Sequence, residues 1–307
     1  MSAQLASSSP SWFKQKLPQL SLILITLIWG TTFLIVKYGL SFSSPILFVA
    51  LRFAMAAIAV TLISYKHLKG MNFKEVLAGA AIGAVMALGY GTQTVGIQTI
   101  SSSESAFLTA LYVPLVPILL WLLFRKTPHV MTWIGAACAF MGLVFLTGNG
   151  FGAIQLNFGQ LLTICGSVAI ALEIIFISYF APKVNTQRVT VLQLIFASIF
   201  CFMMAPLLGE QHLPEFHPHL VRILVGLGVA SACIQLVMNW AQEMVDPSQA
   251  AIIYAGEPIW ASLFGRLAGE RLPALALLGG FMVVIGVILS EWKPKFLKHK
   301  TEDKLAQ

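Results

Sequence analysis

The sequence predicts an all-α, polytopic membrane protein with ten transmembrane helices arranged as two inverted five-helix repeats. Three observations carry this. The 307-residue chain is 58% hydrophobic and only 10% charged, with mean hydropathy +0.84, whereas soluble chains hold ~25% charged residues. Its apolar residues gather in runs long enough to cross a bilayer, which takes ~20 residues. A shift of 144 residues lays 101–146 over 245–290 without a gap.

The elements follow in order. Residues 1–17 are polar and Ser-rich, carry Lys14 and Lys16, and read as a cytoplasmic tail. Leu20 to about Val36 is too long for the apolar core of a signal peptide and no small-residue cleavage site follows, so it is the first span. Further spans are expected at about 45–64, 75–97, 103–123, 130–147, 158–180, 189–208, 220–241, 248–267 and 273–291. Pro45, Pro128, Pro182, Pro247 and Pro273 punctuate their ends. The first repeat then covers 18–147, an external linker 148–157, the second repeat 158–291, and a basic cytoplasmic tail 292–307.

Charge sets the orientation. With the N-terminus inside, fourteen of the nineteen Lys and Arg residues fall on the cytoplasmic side. Lys37, Arg222, Arg266 and Arg271 fall on the other, and Arg52 lies within a span. Basic residues mark the side that stays in the cytoplasm, so both termini are expected there. The loops 98–102 and 148–157 carry no Lys or Arg, as external loops do. The formal net charge of +7 resides in short loops and the C-terminal end, without a basic patch interleaved with aromatics, and does not point to nucleic acid. Cys138, Cys165, Cys201 and Cys233 lie in four different apolar runs and form no CxxC, which argues against a zinc site or a disulfide framework. The histidines lie outside the spans and form no HExxH, so no metal and no cofactor is implied.

In the repeat, Pro114 meets Pro258, Gly135 meets Gly279 and Gly142 meets Gly286. Apolar composition alone does not place prolines and glycines in register. An odd number of spans per repeat requires the two halves to be inverted, a recurrent transporter design with its site near the midplane between broken helices.

The stretch Tyr254-Ala255-Gly256-Glu257-Pro258-Ile259-Trp260 concentrates chemistry inside an expected span. An acid near the centre of a membrane helix costs about 2.5–3.5 kcal/mol on insertion scales. Pro258 has no N–H for the carbonyl of Tyr254 and bends the helix. On one continuous helix Tyr254, Glu257 and Trp260 share a face. Pro114 and Pro117 do the same in span four, with Tyr112 beside them, so Pro114, Pro117 and Pro258 are candidate hinges. A static, structural kink is the equal alternative.

Four motifs resemble EamA-type members of the drug/metabolite transporter superfamily. They are Ile28 to Phe33 (IWGTTF), Pro45 to Arg52, Ser103 to Pro117 (SESAFLTALYVPLVP), and Glu257-Pro258 with Gly269-Glu270-Arg271-Leu272. Together they cover about 18–291. The resemblance implies two EamA-like five-helix repeats about a central cavity, lined by spans one, three, four, six, eight and nine. One departure is Glu173, in Ala171-Leu172-Glu173-Ile174, near where family members often carry Trp-Ala.

Polar side chains inside spans turn toward protein or a wet cavity. On that basis Trp29, Tyr90, Gln93, Tyr112, Glu173, Asn239, Tyr254, Glu257 and Trp260 are the candidate substrate-binding residues; no residue is a candidate catalyst. Gln235 and Gln242 share a face with Asn239. Amides, hydroxyls and indoles suit a small solute with donors, acceptors and a flat apolar part. The alternative for the group is hydrogen bonding between helices. Glu173 and Glu257 are candidates for proton coupling or for a cationic solute group, with neutral core acids as the alternative. Arg52 is expected to pair with a carboxylate or with carbonyls, and Glu270 to be structural. Gly79, Gly83, Ala87 and Gly91 are expected to form a close-packing seam on span three.

The expected function is secondary transport, as export, of a small metabolite, amino acid or amphiphile across a bacterial inner membrane. Its partners are the solute, the lipid bilayer and, if the acids titrate, protons; a homodimer stays open. No Walker A pattern is present. A receptor or assembly protein without transport, and an intramembrane enzyme, remain as alternatives; no Ser–His or paired-Asp arrangement lies in a span.

Overall fold

The computed structural model describes residues 12–125, 130–146, 156–215, 217–271 and 273–291, and among these every regular element is helical. Most of the linker 148–157 and all of the tail 292–307 lie outside the described residues. The helices are α1 (Trp12–Gly39), α2 (Pro45–Ser64), α3 (Phe73–Gly96), α4 (Ser102–Thr109), α5 (Tyr112–Phe124) and α6 (Val130–Leu146). A second set follows: α7 (Phe158–Phe180), α8 (Thr186–Leu207), α9 (Pro218–Ala241), α10 (Pro247–Tyr254), α11 (Glu257–Leu267) and α12 (Ala274–Glu291). Helix α1 starts at Trp12, so Lys14 and Lys16 lie in its first turns. Among the described residues seven stretches are long and apolar enough to cross a membrane: α1, α2, α3, the pair α4–α5, α7, α8 and α9.

Local sequence explains where the helices begin. Asn72 with Glu75, and Asn157 with Gln160, form reciprocal capping boxes at the starts of α3 and α7. Pro45, Pro218 and Pro247 occupy first turns, where a missing N–H leaves nothing unpaired.

Spans four and nine are broken, not merely bent. At Ala110-Leu111 the chain tightens into i→i−3 bonds, Leu111 N to Leu108 O and Val113 N to Ala110 O. At Ala255-Gly256 it does the same, with Gly256 N donating to Ile253 O at 3.2 Å. The physical reason is where the prolines sit. Pro258 lies in the first turn of α11 and Pro114 in the first turn of α5. Each starts a half-helix instead of kinking a whole one, while Pro117 alone lies inside α5.

The main helix contacts are preserved when the two sets of helices are exchanged in order. Helix α1 packs on α9 and α11, and its counterpart α7 packs on α3 and on α4–α5. Helix α2 packs on α9 as α8 packs on α3, and α2 on α8 and α6 on α12 are self-related pairs. In the last pair Cys138 Sγ lies 3.5 Å from the carbonyl oxygen of Met282, the residue it matches at the 144-residue shift.

Small residues set these approaches. A Cβ on Gly79 or Gly83 would collide with Leu192, Gln193 and Phe196 of α8. On the other side of α3, a Cβ at Gly96 would lie 2.7 Å from the carbonyl oxygen of Gly159 in α7. Helix α3 thus carries two glycine seams. Gly91, expected in the first, meets only the tip of Ile46.

Polarity is reversed relative to a soluble protein. Leu62, Phe73 and Leu207 are among the many large apolar side chains on the outside, while Arg52, Glu75, Glu173, Glu257, Gln193, Gln235, Asn239 and Gln242 are buried. A hydrocarbon environment demands this arrangement.

Candidate functional site

The buried polar and aromatic residues meet where the helix breaks face one another. Trp29 of α1 stacks on Tyr90 of α3 at 6.3 Å and 13°, and meets Tyr254 of α10 edge-on at 5.7 Å. Tyr90 also meets Phe53 edge-on. Tyr254 accepts a hydrogen bond from Gln242 Nε2 at 2.8 Å, and Ser178 Oγ donates to Gln242 Oε1. Glu257 opens α11 just past the break and is 1% exposed. Tyr112, which opens α5 just past the other break, donates to Glu257 Oε2 at 3.5 Å, the long limit of a hydrogen bond. The other oxygen, Oε1, has no partner among the described residues. The two breaks therefore meet through a tyrosine and a carboxylate.

A second carboxylate anchors a chain of amides. Glu173 Oε1 accepts from Gln235 Nε2 at 2.8 Å, Gln235 Oε1 accepts from Gln193 Nε2 at 2.7 Å, and Gln193 Oε1 accepts from Asn239 Nδ2 at 3.2 Å. Glu173 Oε2 is buried without a partner among the described residues. The sequence reading missed Gln193. Its signal was there, a lone amide in the apolar run Val189 to Phe200 of α8.

The structure thus links Trp29, Tyr90 and Tyr254 in one group, Tyr112 and Glu257 in a pair, and Glu173 and Asn239 through the amide chain. Gln93 donates to Thr109 Oγ1 at 2.9 Å, tying α3 to the end of α4. Trp260 stands apart. It is half-buried and makes no ring contact or hydrogen bond with the group among the described residues. Its Cβ sits where a side chain on Gly30 would have to go. The break before Glu257 takes Tyr254 off the face that Glu257 and Trp260 share within α11.

Arg52 also departs from expectation. No carboxylate lies within 4.0 Å of it among the described residues. Its Nε donates to Ser231 Oγ at 2.8 Å, and its guanidinium lies over the rings of Tyr90 and Phe53 at 5.6 and 6.0 Å. Aromatic faces substitute in part for a counterion.

Ionic fastenings lie at the helix ends on either side of this centre. On one side, Arg188 reaches the carbonyls of His67, Lys69 and Gly70 and the Glu75 carboxylate at 3.3 Å, tying α8 to the α2–α3 connection. On the other, Glu270 accepts from the backbone and hydroxyls of Ser102 and Ser103 at the start of α4, and pairs with Lys37 at 3.5 Å. Gly269 adopts φ +91°, which aims Glu270 at that helix end. Partial burial pushes the Glu270 carboxyl up, but the bonds from Ser102 and Ser103 outweigh it and hold it below the usual carboxylate range.

A model of the EamA-like transporter family matches this chain twice, over residues 17–148 and 157–292. The chain belongs to the EamA-like transporter family. It is 30% identical over 281 residues to a protein of Archaeoglobus fulgidus named uncharacterized transporter, covering 90% of this chain and 86% of that one. It is 26% identical to the uncharacterized inner membrane transporter YedA of Escherichia coli K12, covering 90% and 92%. A solved crystal structure shares its fold with TM-score 0.65 at 16% identity, covering 89% of this chain and 95% of that one. This EamA-like chain is therefore a multi-pass membrane transporter, with a small-molecule substrate and the lipid bilayer as its partners.

Proposed function

We propose that this transporter exports a small solute (a metabolite, amino acid or amphiphile) across the inner membrane by alternating access, with Glu257 exchanging a proton for solute. One observation carries the reading: the half-satisfied carboxylate of Glu257, buried where the two broken helices meet. A buried carboxylate with a free oxygen is too costly to persist as a lone anion; it takes a proton or meets a cation. Trp29, Tyr90, Tyr112 and Tyr254 supply flat faces for the solute. Glu173 and the amide chain supply a second exchangeable acid, and Pro114, Pro117 and Pro258 fix where the half-helices pivot.

The topology in this proposal is ten spans as two inverted repeats. Helices α6 and α12 and the pair α10–α11 cross the membrane beside the other seven stretches. The 17 residues of α6 reach about 26 Å at 1.5 Å per residue, close to the ~30 Å hydrocarbon core. The exchange-invariant packing supports a two-fold relation, and an odd number of spans per repeat makes it an inversion. In this reading, which the charge bias supports, both termini and the Arg188–Glu75 fastening face the cytoplasm and the Lys37–Glu270 fastening faces outside. Releasing one fastening at a time opens the centre to one side at a time.

Counterflow tests this. Metabolites that raise the thermal midpoint of the purified protein are selected, and vesicles preloaded with one of them are diluted into its labelled form. Transient accumulation of label is expected. Ligands that bind but never counterflow identify a receptor instead.

A further inference from the structure

The buried charge of Arg52 is left over by the centre just described. Its side chain is 3% exposed, and Ser231 is its one hydrogen-bond acceptor among the described residues. The Nη groups donate to none. An ionised group held out of water without a counterion is strongly disfavoured, and stacking on Tyr90 and Phe53 offsets only part of that. Arg52 also borders a small, partly open cavity of about 10 Å³, lined by Thr32, Gln93 and Thr94 and by the apolar Phe33, Val36 and Ile97. Guanidinium and amide N–H groups gathered at one cavity grip an oxyanion; Gln93 Nε2 keeps one N–H beyond that given to Thr109, while the Thr32 hydroxyl donates to the Trp29 carbonyl at 2.7 Å and must leave it to take part. At that volume the cavity takes about one water, so a larger group enters only when the helices around it part.

Resting on the proposed transport reading of the centre, we propose that Arg52 with Thr32, Gln93 and Thr94 forms an anion subsite that takes a carboxylate of the solute. The aromatic group beginning at Tyr90, on which Arg52 stacks, holds the solute's apolar part. The substrate class is then an organic acid, or a zwitterion whose cationic end faces Glu257. Ser231 and Tyr90 position the guanidinium, and Gln93, bonded to Thr109, connects the subsite to the end of α4.

A matched pair of probes tests it: phenylpropionate and phenylpropylamine, which share a ring and differ in the charged end. Binding to the purified full-length protein is read by calorimetry, in a low-salt buffer with and without added chloride. Wild type is expected to bind the acid, and Arg52→Gln to weaken acid binding by roughly ten- to a hundredfold while leaving amine binding in place. Arg52→Lys retains the charge but not the fork and falls between. Should Arg52→Gln fail to fold, Thr94→Val, which removes one donor at nearly constant volume, is expected to weaken the acid selectively. Absence of acid binding by wild type, or equal loss of acid and amine in the variants, overturns the subsite. Displacement of the acid by chloride at equal concentration shows an inorganic anion site and overturns the carboxylate assignment. Counterflow separates the two proposals: Arg52-dependent acid binding without counterflow leaves the subsite standing and the transport reading fallen.

Discussion

Glu257→Gln carriers insert, fold and exchange solute, and lose the pH dependence of transport. The substitution preserves volume and most hydrogen bonding, so Tyr112 keeps a partner. It also removes a buried ionisable group, so the thermal midpoint is expected to be no lower than that of wild type. What it removes is the proton. If proton and solute are coupled ligands of this carboxylate, the coupling free energy has the usual size of ~1–3 kcal/mol, or roughly 5- to 150-fold in rate or affinity. Stimulation of uptake by an imposed proton gradient is expected to shrink by that factor, while solute-for-solute exchange continues. The measurement is uptake by reconstituted vesicles from mildly acidic to mildly alkaline pH, with and without the gradient. A variant with the wild-type rate and pH profile makes Glu257 structural, and Glu173→Gln is then the variant that should show the loss.

Gly30→Val breaks the site without touching a polar group. A Cβ at Gly30 would lie 2.6 Å from Trp260 Cβ and 3.0 Å from both the backbone nitrogen of Ala261 and the carbonyl oxygen of Glu257. Two of these neighbours are backbone and cannot rotate away, so α1 and α11 must separate. Overpacking of this kind costs about 1–3 kcal/mol or more. The displaced helix carries Glu257 in its first turn, so transport falls with stability. Gly226→Val is the control, because an added Cβ there meets nothing within 4 Å. A lowered thermal midpoint and lost counterflow are expected for Gly30→Val alone. Wild-type stability and rate in that variant would show that the close approach of α1 and α11 is dispensable.

The same contact shows how the sequence encodes the site. Trp29-Gly30 was legible as a motif, but not what it does: the indole stacks inward on Tyr90 while the adjacent glycine admits α11. Glu257, Tyr254 and Tyr112 were legible because polar groups inside apolar runs have few places to go. The amide chain was legible only in part. Gln235 and Asn239 share a helical face, but their link to Glu173 runs through Gln193 on another helix, and no local pattern specifies that pairing. The face drawn through Tyr254, Glu257 and Trp260 carried a single helical periodicity across Ala255-Gly256, where the helix stops. Arg52 was expected to pair with a carboxylate or with carbonyls on charge logic alone, whereas tertiary packing gives it a hydroxyl and two rings. Gly269-Glu270 read as a helix end, and its task of fastening α4 depends on helices far apart in sequence.

The buried centre is expected to open to each side of the membrane in turn. Gln93→Cys and Asn239→Cys, each as the single thiol after replacement of Cys138, Cys165, Cys201 and Cys233, test it most directly. Both positions are buried, so a membrane-impermeant thiol reagent reaches them only when a mouth opens. Each is expected to be labelled from either side of the vesicle and protected by a solute that supports counterflow. Labelling from neither side, in carriers where a thiol placed at the exposed turn residue Gly209 reacts normally, would contradict it.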